Sequence, residues 1–333
     1  MTLPANQPSD PAASRREFLR RGLQAGAALA LTGGLAASMW NRHPPGDFNR
    51  DVASALLPDF SSQGAGPKFA IVTGRNRAAM VRRALEAMGG IGRFIKRGDR
   101  VMLKVNAAFA TPAILSATTH PELAAELVRL CLGAGAASVL VTDNPINDPE
   151  SCFNLTGIGP AVIAAGARLV LPRAAEFAPG TLPGGRLIRD WPILHEPFRG
   201  ITKLIGVSPV KQHNRAGASL TMKNWYGLLG GRRNQFHQDI NGIIVELAML
   251  VRPTFVVLDG TDSMMANGPT GGSVADLKPT NTLVVSTDGI AADAFGATLL
   301  DKTHGDLPYI GRAAERGLGT ADFESLSPVR ATA

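Results

Sequence analysis

The chain has 333 residues, of which 45% are hydrophobic and 18% charged, and a formal net charge of +7. That length supplies one large domain or two small ones with a substantial core. The positive charge is spread along the chain without a Lys/Arg-rich run or basic–aromatic alternation, a pattern that excludes nucleic acid as the expected partner.

The first feature in chain order is Ser14-Arg15-Arg16-Glu17-Phe18-Leu19-Arg20, followed by an uncharged run from Gly22 to Met39. It resembles the twin-arginine (Tat) export signal: Ser/Thr-Arg-Arg, any residue, Phe-Leu and often Lys, with Arg20 here in place of that Lys. The structural alternative is a basic helix start before an Ala-rich helix. Basic flank, apolar stretch and small residues at Ala36-Ala37-Ser38 stand in the order of a processed signal. The run contains Gly22, Gly26, Gly33 and Gly34, which makes it marginal as a permanent span. The expectation is a Tat signal over residues 1–40, handled by the Tat translocase and cleaved near Ala37. An uncleaved membrane tether is the alternative, and the destination is the periplasm or another exported compartment. The resemblance also implies a protein that crosses the membrane folded, in many cases with a cofactor loaded beforehand. Loss of residues 1–40 removes four Arg, one Asp and one Glu, lowering the formal charge from +7 to +5.

Residues 41–67 hold four prolines and no sustained period, as in a linker. From Phe69 short apolar runs alternate with helical periods, which predicts an α/β fold with a mostly parallel sheet flanked by helices. Strands are expected at 69–73, 100–105, 138–142, 168–171, 201–207, 255–258 and 282–286. Helices are expected at 77–88, from Pro121 to Gly133, and at 157–165, 240–251 and 289–300. The Pro/Gly-rich stretch 172–200 reads as a loop or small hairpin insertion, the domain as residues 68–320, and 321–333 as a C-terminal tail.

Polar residues at the carboxyl ends of parallel strands converge on one edge of such a sheet, where ligands bind. Lys104, Asn106, Asp143, Asn144, Lys211, His213, Asp259, Asp262 and Asp288 fall there. Several have plainer roles: Asp288 suits a helix cap, Asp143 before Asn144-Pro145 suits a turn, and His120 suits a helix start. The loop Gly268-Pro269-Thr270-Gly271-Gly272 lacks the Walker spacing and opens no helix, so it is weak as a phosphate cradle. Arg outnumbers Lys by 26 to 8, so each Lys is informative. Between residues 211 and 237 lie Lys211, His213, Lys223, Asn224 and His237, interleaved with Trp225, Leu228 and Leu229. A partly buried cationic site is the sharper reading of that pattern, and a solvated loop the plainer one.

Lys211-Gln212-His213, Leu220-Thr221-Met222-Lys223-Asn224-Trp225-Tyr226-Gly227, His237, Leu258-Asp259-Gly260, Gly268-Pro269, and Ser286-Thr287-Asp288 with Asp293 resemble, in order and spacing, the core segments of the family called domain of unknown function 362. Leu103-Lys104-Val105-Asn106 and Thr118-Thr119-His120-Pro121 also fit, so the resemblance runs from Lys104 to Leu300. Val105 stands where the family has Pro, and His120 where it has Asp. The family name supplies no reaction. Ferredoxin-like cysteine motifs in some members imply redox work; this chain lacks them, so a redox role requires a partner or another cofactor. Its two cysteines, Cys131 and Cys152, suffice for one disulfide but cannot hold an iron–sulfur cluster by themselves.

These readings converge on an exported enzyme acting on a small anionic ligand. Lys211, His213, Lys223 and His237 form the expected catalytic set, the lysines holding the anion and a histidine serving as acid–base. Lys104, Asn106, Asn224, Gly268 and Gly272 are the expected ligand or cofactor contacts. Asp259 and Asp288 are expected to supply oxygen ligands to a divalent metal, or to orient the basic groups. The rival reading is a non-catalytic ligand- or cofactor-binding accessory of a periplasmic redox complex.

Overall fold

The computed structural model describes residues 11–39, 56–62 and 64–333. Most of the predicted linker therefore lies outside the described residues. Its described end is packed: Phe60 is buried and its amide donates to the Arg252 carbonyl at 2.9 Å. The amino-terminal unit contains helix α1 (Pro11–Met39), which carries the twin arginines and exposes Phe18, Leu19 and Leu23. Among the described residues no helix is long and apolar enough to cross a membrane.

The second unit begins with β1 (Phe69–Thr73), α2 (Arg77–Ala87), α3 (Ile91–Phe94), β2 (Arg100–Lys104), α4 (Pro121–Gly133), β3 (Ser138–Thr142), α5 (Pro149–Leu155), α6 (Ile158–Ala164) and β4 (Arg168–Val170). The hairpin β5 (Phe177–Gly180) and β6 (Trp191–Leu194) forms the expected insertion. Then follow β7 (Lys203–His213), β8 (Gly217–Ser219), α7 (Thr221–Asn224), α8 (Ile240–Leu250), β9 (Phe255–Met264), β10 (Leu277–Ser286), α9 (Gly289–Leu299), α10 (Pro308–Glu315) and β11 (Val329–Thr332).

Among the described residues nine strands make one sheet in the order β11-β1-β10-β9-β7-β2-β3-β4, with β8 paired to β7. The run β9-β7-β2-β3-β4 is parallel, whereas β10 runs antiparallel to both β9 and β1. The carboxyl-terminal segment, expected as a tail, supplies the edge strand β11, parallel to β1. Its alternation of Val329, Arg330, Ala331 and Thr332 is too short and too polar to announce a strand without its partner.

Side chains alternate between the two faces of a strand, and the core divides accordingly. Val101 and Leu103 of β2, Val139 and Val141 of β3, and Ile205 and Val207 of β7 pack with α2, α4 and α6. Met102, Leu140, Leu204, Val256 and Leu258 face the opposite layer of α8, α9 and α10. Burial on both faces explains why these strands read as continuous apolar runs.

One buried carboxylate fixes the element that carries Lys223. Asp293 of α9 accepts from the Thr221 amide at 2.7 Å, the Thr221 hydroxyl at 2.5 Å and the Met222 amide at 3.2 Å, which anchors the start of α7. Burial raises its pKa to about 7, against the pull of those donors.

Candidate functional site

The site exists because β7 outruns β2. Pairing of the two strands ends at Lys104 opposite Gly206, while β7 continues to His213 with β8 along its far end. The period of two puts Val207, Lys211 and His213 on one face, and Val210 in the opposite core. Space above the end of β2 is therefore lined by the last turn of β7, the loops after β2 and β3, and the helical turns from Thr221 to Leu228.

The floor of this space is a buried polar network. Lys104 Nζ lies 2.7 Å from Asp143 Oδ1, with both side chains buried. It also donates to the Val105 carbonyl at 2.7 Å and to Asn224 Oδ1 at 3.2 Å. Asp143 Oδ2 accepts from the Ala107 amide at 2.7 Å. Asn224 Nδ2 donates to the Lys104 and Val207 carbonyls, and Asn106 Nδ2 to Asn224 Oδ1. Burial lowers the Lys104 pKa, with Asp143 opposing the shift. Gly227 covers the pair so closely that a Cβ there would stand 1.9 Å from Asp143 Oδ1, so this position accepts only glycine. Trp225 rests on β7 at Gly206, where a Cβ would lie 2.5 Å from the ring.

Above the floor opens a cavity of about 580 Å³, within the range of small-molecule sites. Lys211, Lys223, Arg215, Arg233, His213, His237, Phe109 and Tyr226 are among its walls. Lys211 donates to the Ala117 carbonyl at 2.5 Å and to Asn106 Oδ1 at 3.4 Å, and its Nζ lies 5.2 Å from the centre of the Phe109 ring. Burial, helped by the charge of Lys223, brings its pKa down to about 7. Lys223 lies 5.0 Å from the Tyr226 ring centre, and burial followed by Arg233 brings its pKa to about 8. The buried Arg233 guanidinium donates to the carbonyls of Tyr226, Leu229, Asn144 and Pro145, which ties the loop after β3 to the turns after α7.

The two imidazoles stack nearly parallel, 5.9 Å between centres and 16° between planes. His213 Nδ1 accepts from the Arg215 and Ala216 amides at 3.1 and 3.2 Å, which assigns the proton of the neutral ring to Nε2. His237 Nδ1 lies 3.1 Å from the Asn234 carbonyl, which can only accept, so His237 carries its proton there and leaves Nε2 bare. One ring thus offers a donor and the other an acceptor. Burial, then Lys223 and His237, pushes the His213 pKa down to about 3, and burial also lowers that of His237.

Among the described residues Asp143 is the one carboxylate in the cavity walls, and its oxygens are engaged by Lys104 and by backbone amides. The remaining charge is cationic, so the cavity suits an anion.

Of the residues expected at the site, Asn106, Lys211, His213, Lys223, Asn224 and His237 line this cavity, and Lys104 lies beneath it behind Asp143. The others lie elsewhere. Gly268 packs against the main chain of Gln212, and its amide donates to Gln212 Oε1; Pro269 and Thr270 reach the cavity in its place. The Gly272 amide donates to Asp276 on the surface. Asp259 is bound to Arg77 at 2.8 Å and to Thr261, and the adjacent guanidinium opposes a second cation. Asp288 caps α9 through the Ile290 and Ala291 amides and accepts from the Thr320 amide. Neither carboxylate is free to act as expected of a metal ligand, and among the described residues no group of three or more His, Cys, Asp or Glu is arranged around a metal. Cys131 and Cys152 are free and buried, and burial pushes their thiols up to about 12 and about 11. His120 caps α4, accepting from the Glu122 amide. Sequence reasoning gave no site role to Arg233, Arg215, Tyr226 and Phe109; Asp143 was placed at the ligand-binding edge with a turn as its plainer role, and the structure sets it beside Lys104 in the cavity floor.

Fold and site together define an α/β protein with a cationic cavity at the carboxyl edge of its sheet. Residues 101–298 match the family described as Domain of unknown function (DUF362), and the chain belongs to that family. It is 24% identical over 259 residues to the thylakoid-associated protein sll1697 of Synechocystis sp., covering 75% of this chain and 78% of that protein. Among solved structures, the lactate racemase apoprotein of Thermoanaerobacterium thermosaccharolyticum aligns with a TM-score of 0.40 and 16% identity over 72% of this chain. A structural-genomics target from Thermotoga maritima aligns with a TM-score of 0.32 and 11% identity over 73%. The chain spans 57% and 60% of the lengths of these two solved chains.

The depressed pKa of His213 has a consequence for stability. An unfolded histidine takes up a proton near 6.5, whereas folded His213 resists protonation until about 3. Between those values the unfolded state binds the extra proton, so stability falls as pH drops. Urea unfolding of the native chain should lose more stability from about pH 7 to about pH 5 than that of His213→Asn, whose amide oxygen can replace Nδ1 as acceptor. Equal losses in the two proteins would contradict this assignment.

Proposed function

We propose that this protein is an exported enzyme that binds a small anionic substrate in the cavity above Lys104 and Asp143 and moves protons on it. The observation that carries the reading is the charge balance of the cavity: Lys211, Lys223, Arg215 and Arg233 meet a single carboxylate already bound to Lys104. Lys223 and Arg215 hold the anion. Lys211, with a pKa of about 7, changes charge at neutral pH and so can exchange a proton during a reaction. His237 accepts a proton at Nε2, and His213 donates a hydrogen bond from its own Nε2. The wall of Phe109, Ala108 and Ile146 gives the apolar part of a ligand a place to lie.

Export rests on the twin-arginine pattern at Arg15-Arg16, carried on a helix.

Thermal unfolding at constant ionic strength tests the cavity. Phosphate or small carboxylates should raise the melting temperature in a saturable way, and Lys223→Ala should weaken that binding roughly tenfold or more. Stabilisation by no anion, or equal binding by the variant, would overturn the reading. For export, replacing Arg15 and Arg16 together by Lys should leave the folded protein in the cytoplasm while the native chain reaches the periplasm. Undiminished export of the variant would contradict the twin-arginine route.

A further inference from the structure

Three lysines meet at this site, and two of them are committed. Lys104 is paired with Asp143, and Lys211 donates to Ala117 and Asn106. Lys223 differs: among the described residues its Nζ has no hydrogen-bond acceptor, only the face of Tyr226 at 5.0 Å. It is half-buried, lines the cavity, and stands on the turn that Asp293 anchors. An amine held in place and left without a partner is placed to react.

We propose that Lys223 is a Schiff-base lysine that condenses with the carbonyl of a small oxo acid, whose carboxylate is held by Arg215. This rests on the anion-binding reading above and names the substrate class of that cavity. The cationic walls select the carboxylate, and the unpartnered amine selects the carbonyl beside it. A desolvated lysine near other cations carries more free amine at neutral pH, and the Lys223 pKa of about 8 agrees with that.

The Lys223 ammonium loses one proton, which solvent relays to His237 Nε2. The amine lone pair then forms a bond to the carbonyl carbon, and the carbonyl electron pair moves onto oxygen. A proton passes from nitrogen to that oxygen, giving a neutral carbinolamine. Protonated His237 returns its proton to the hydroxyl, which leaves as water while the nitrogen lone pair forms the C=N bond. The products are a protonated imine, one water and neutral His237, with charge conserved.

Cyanoborohydride reduces such an imine to a stable secondary amine. The full chain incubated with pyruvate and cyanoborohydride should gain the mass of pyruvate less one oxygen atom, and peptide mapping should place the adduct on Lys223. K223R keeps the charge and should lose the adduct, with circular dichroism reporting its fold; the peptide map of the native chain stands even if that variant does not fold. Adduct confined to exposed lysines such as Lys68 and Lys96 would overturn the proposal. Lactate, which has no ketone, separates the two readings. Stabilisation by lactate or pyruvate without an adduct on Lys223 overturns the Schiff base and leaves the anion cavity standing. Absence of both stabilisation and adduct overturns both.

Discussion

Burying the Lys104 ammonium beside the Asp143 carboxylate constrains everything built above them. Neither charge is tolerable alone in that interior, and removing one partner of such a pair costs about 3–5 kcal/mol. The pair therefore has to be completed by further polar groups, which Val105, Ala107 and Asn224 supply. Gly227 lies over it at a distance that no side chain could keep. Asp143 is thereby removed as a counter-ion for the cavity, and the cations above it remain without a carboxylate of their own.

Topology explains why the cations gather there. A strand that extends past its neighbour would leave unpaired backbone, and β8 covers that end of β7 at Lys211, Gln212 and His213. The opposite wall is set by Asp293, which holds the start of α7 from a different helix, and by Trp225 lying on Gly206. Arg233 then ties this wall to the loop after β3 through four carbonyls. The cavity is thus framed by residues from distant parts of the chain, each fixed by a buried contact.

Much of the fold was legible because strands buried on both faces appear as apolar runs, as at Ser138–Thr142 and Phe255–Leu258. The polar ends of β7, β9 and β10 were not, because residues such as Lys211 and Asp262 become strand only through partners elsewhere in the chain. In the site, Lys104, Lys211 and Lys223 stood out against an Arg-rich background, and that same background hid Arg233. Pairing of Lys104 with Asp143 depends on the adjacency of β2 and β3, which no local pattern encodes. The cap that Asp288 makes on α9 was legible from its place before Gly289, whereas the reach of Arg77 to Asp259 across the sheet edge and the contact from Thr320 to Asp288 are not visible in a linear reading.

The central claim is that a cavity emptied of free carboxylate binds an anion through lysines poised near neutrality. Calorimetric titration of the native chain with a small carboxylate, at fixed ionic strength and increasing pH, tests it most directly. Affinity should fall as pH rises through about 7 and about 8, where Lys211 and Lys223 lose their protons. An affinity that stays flat across that interval, or grows, would contradict the account.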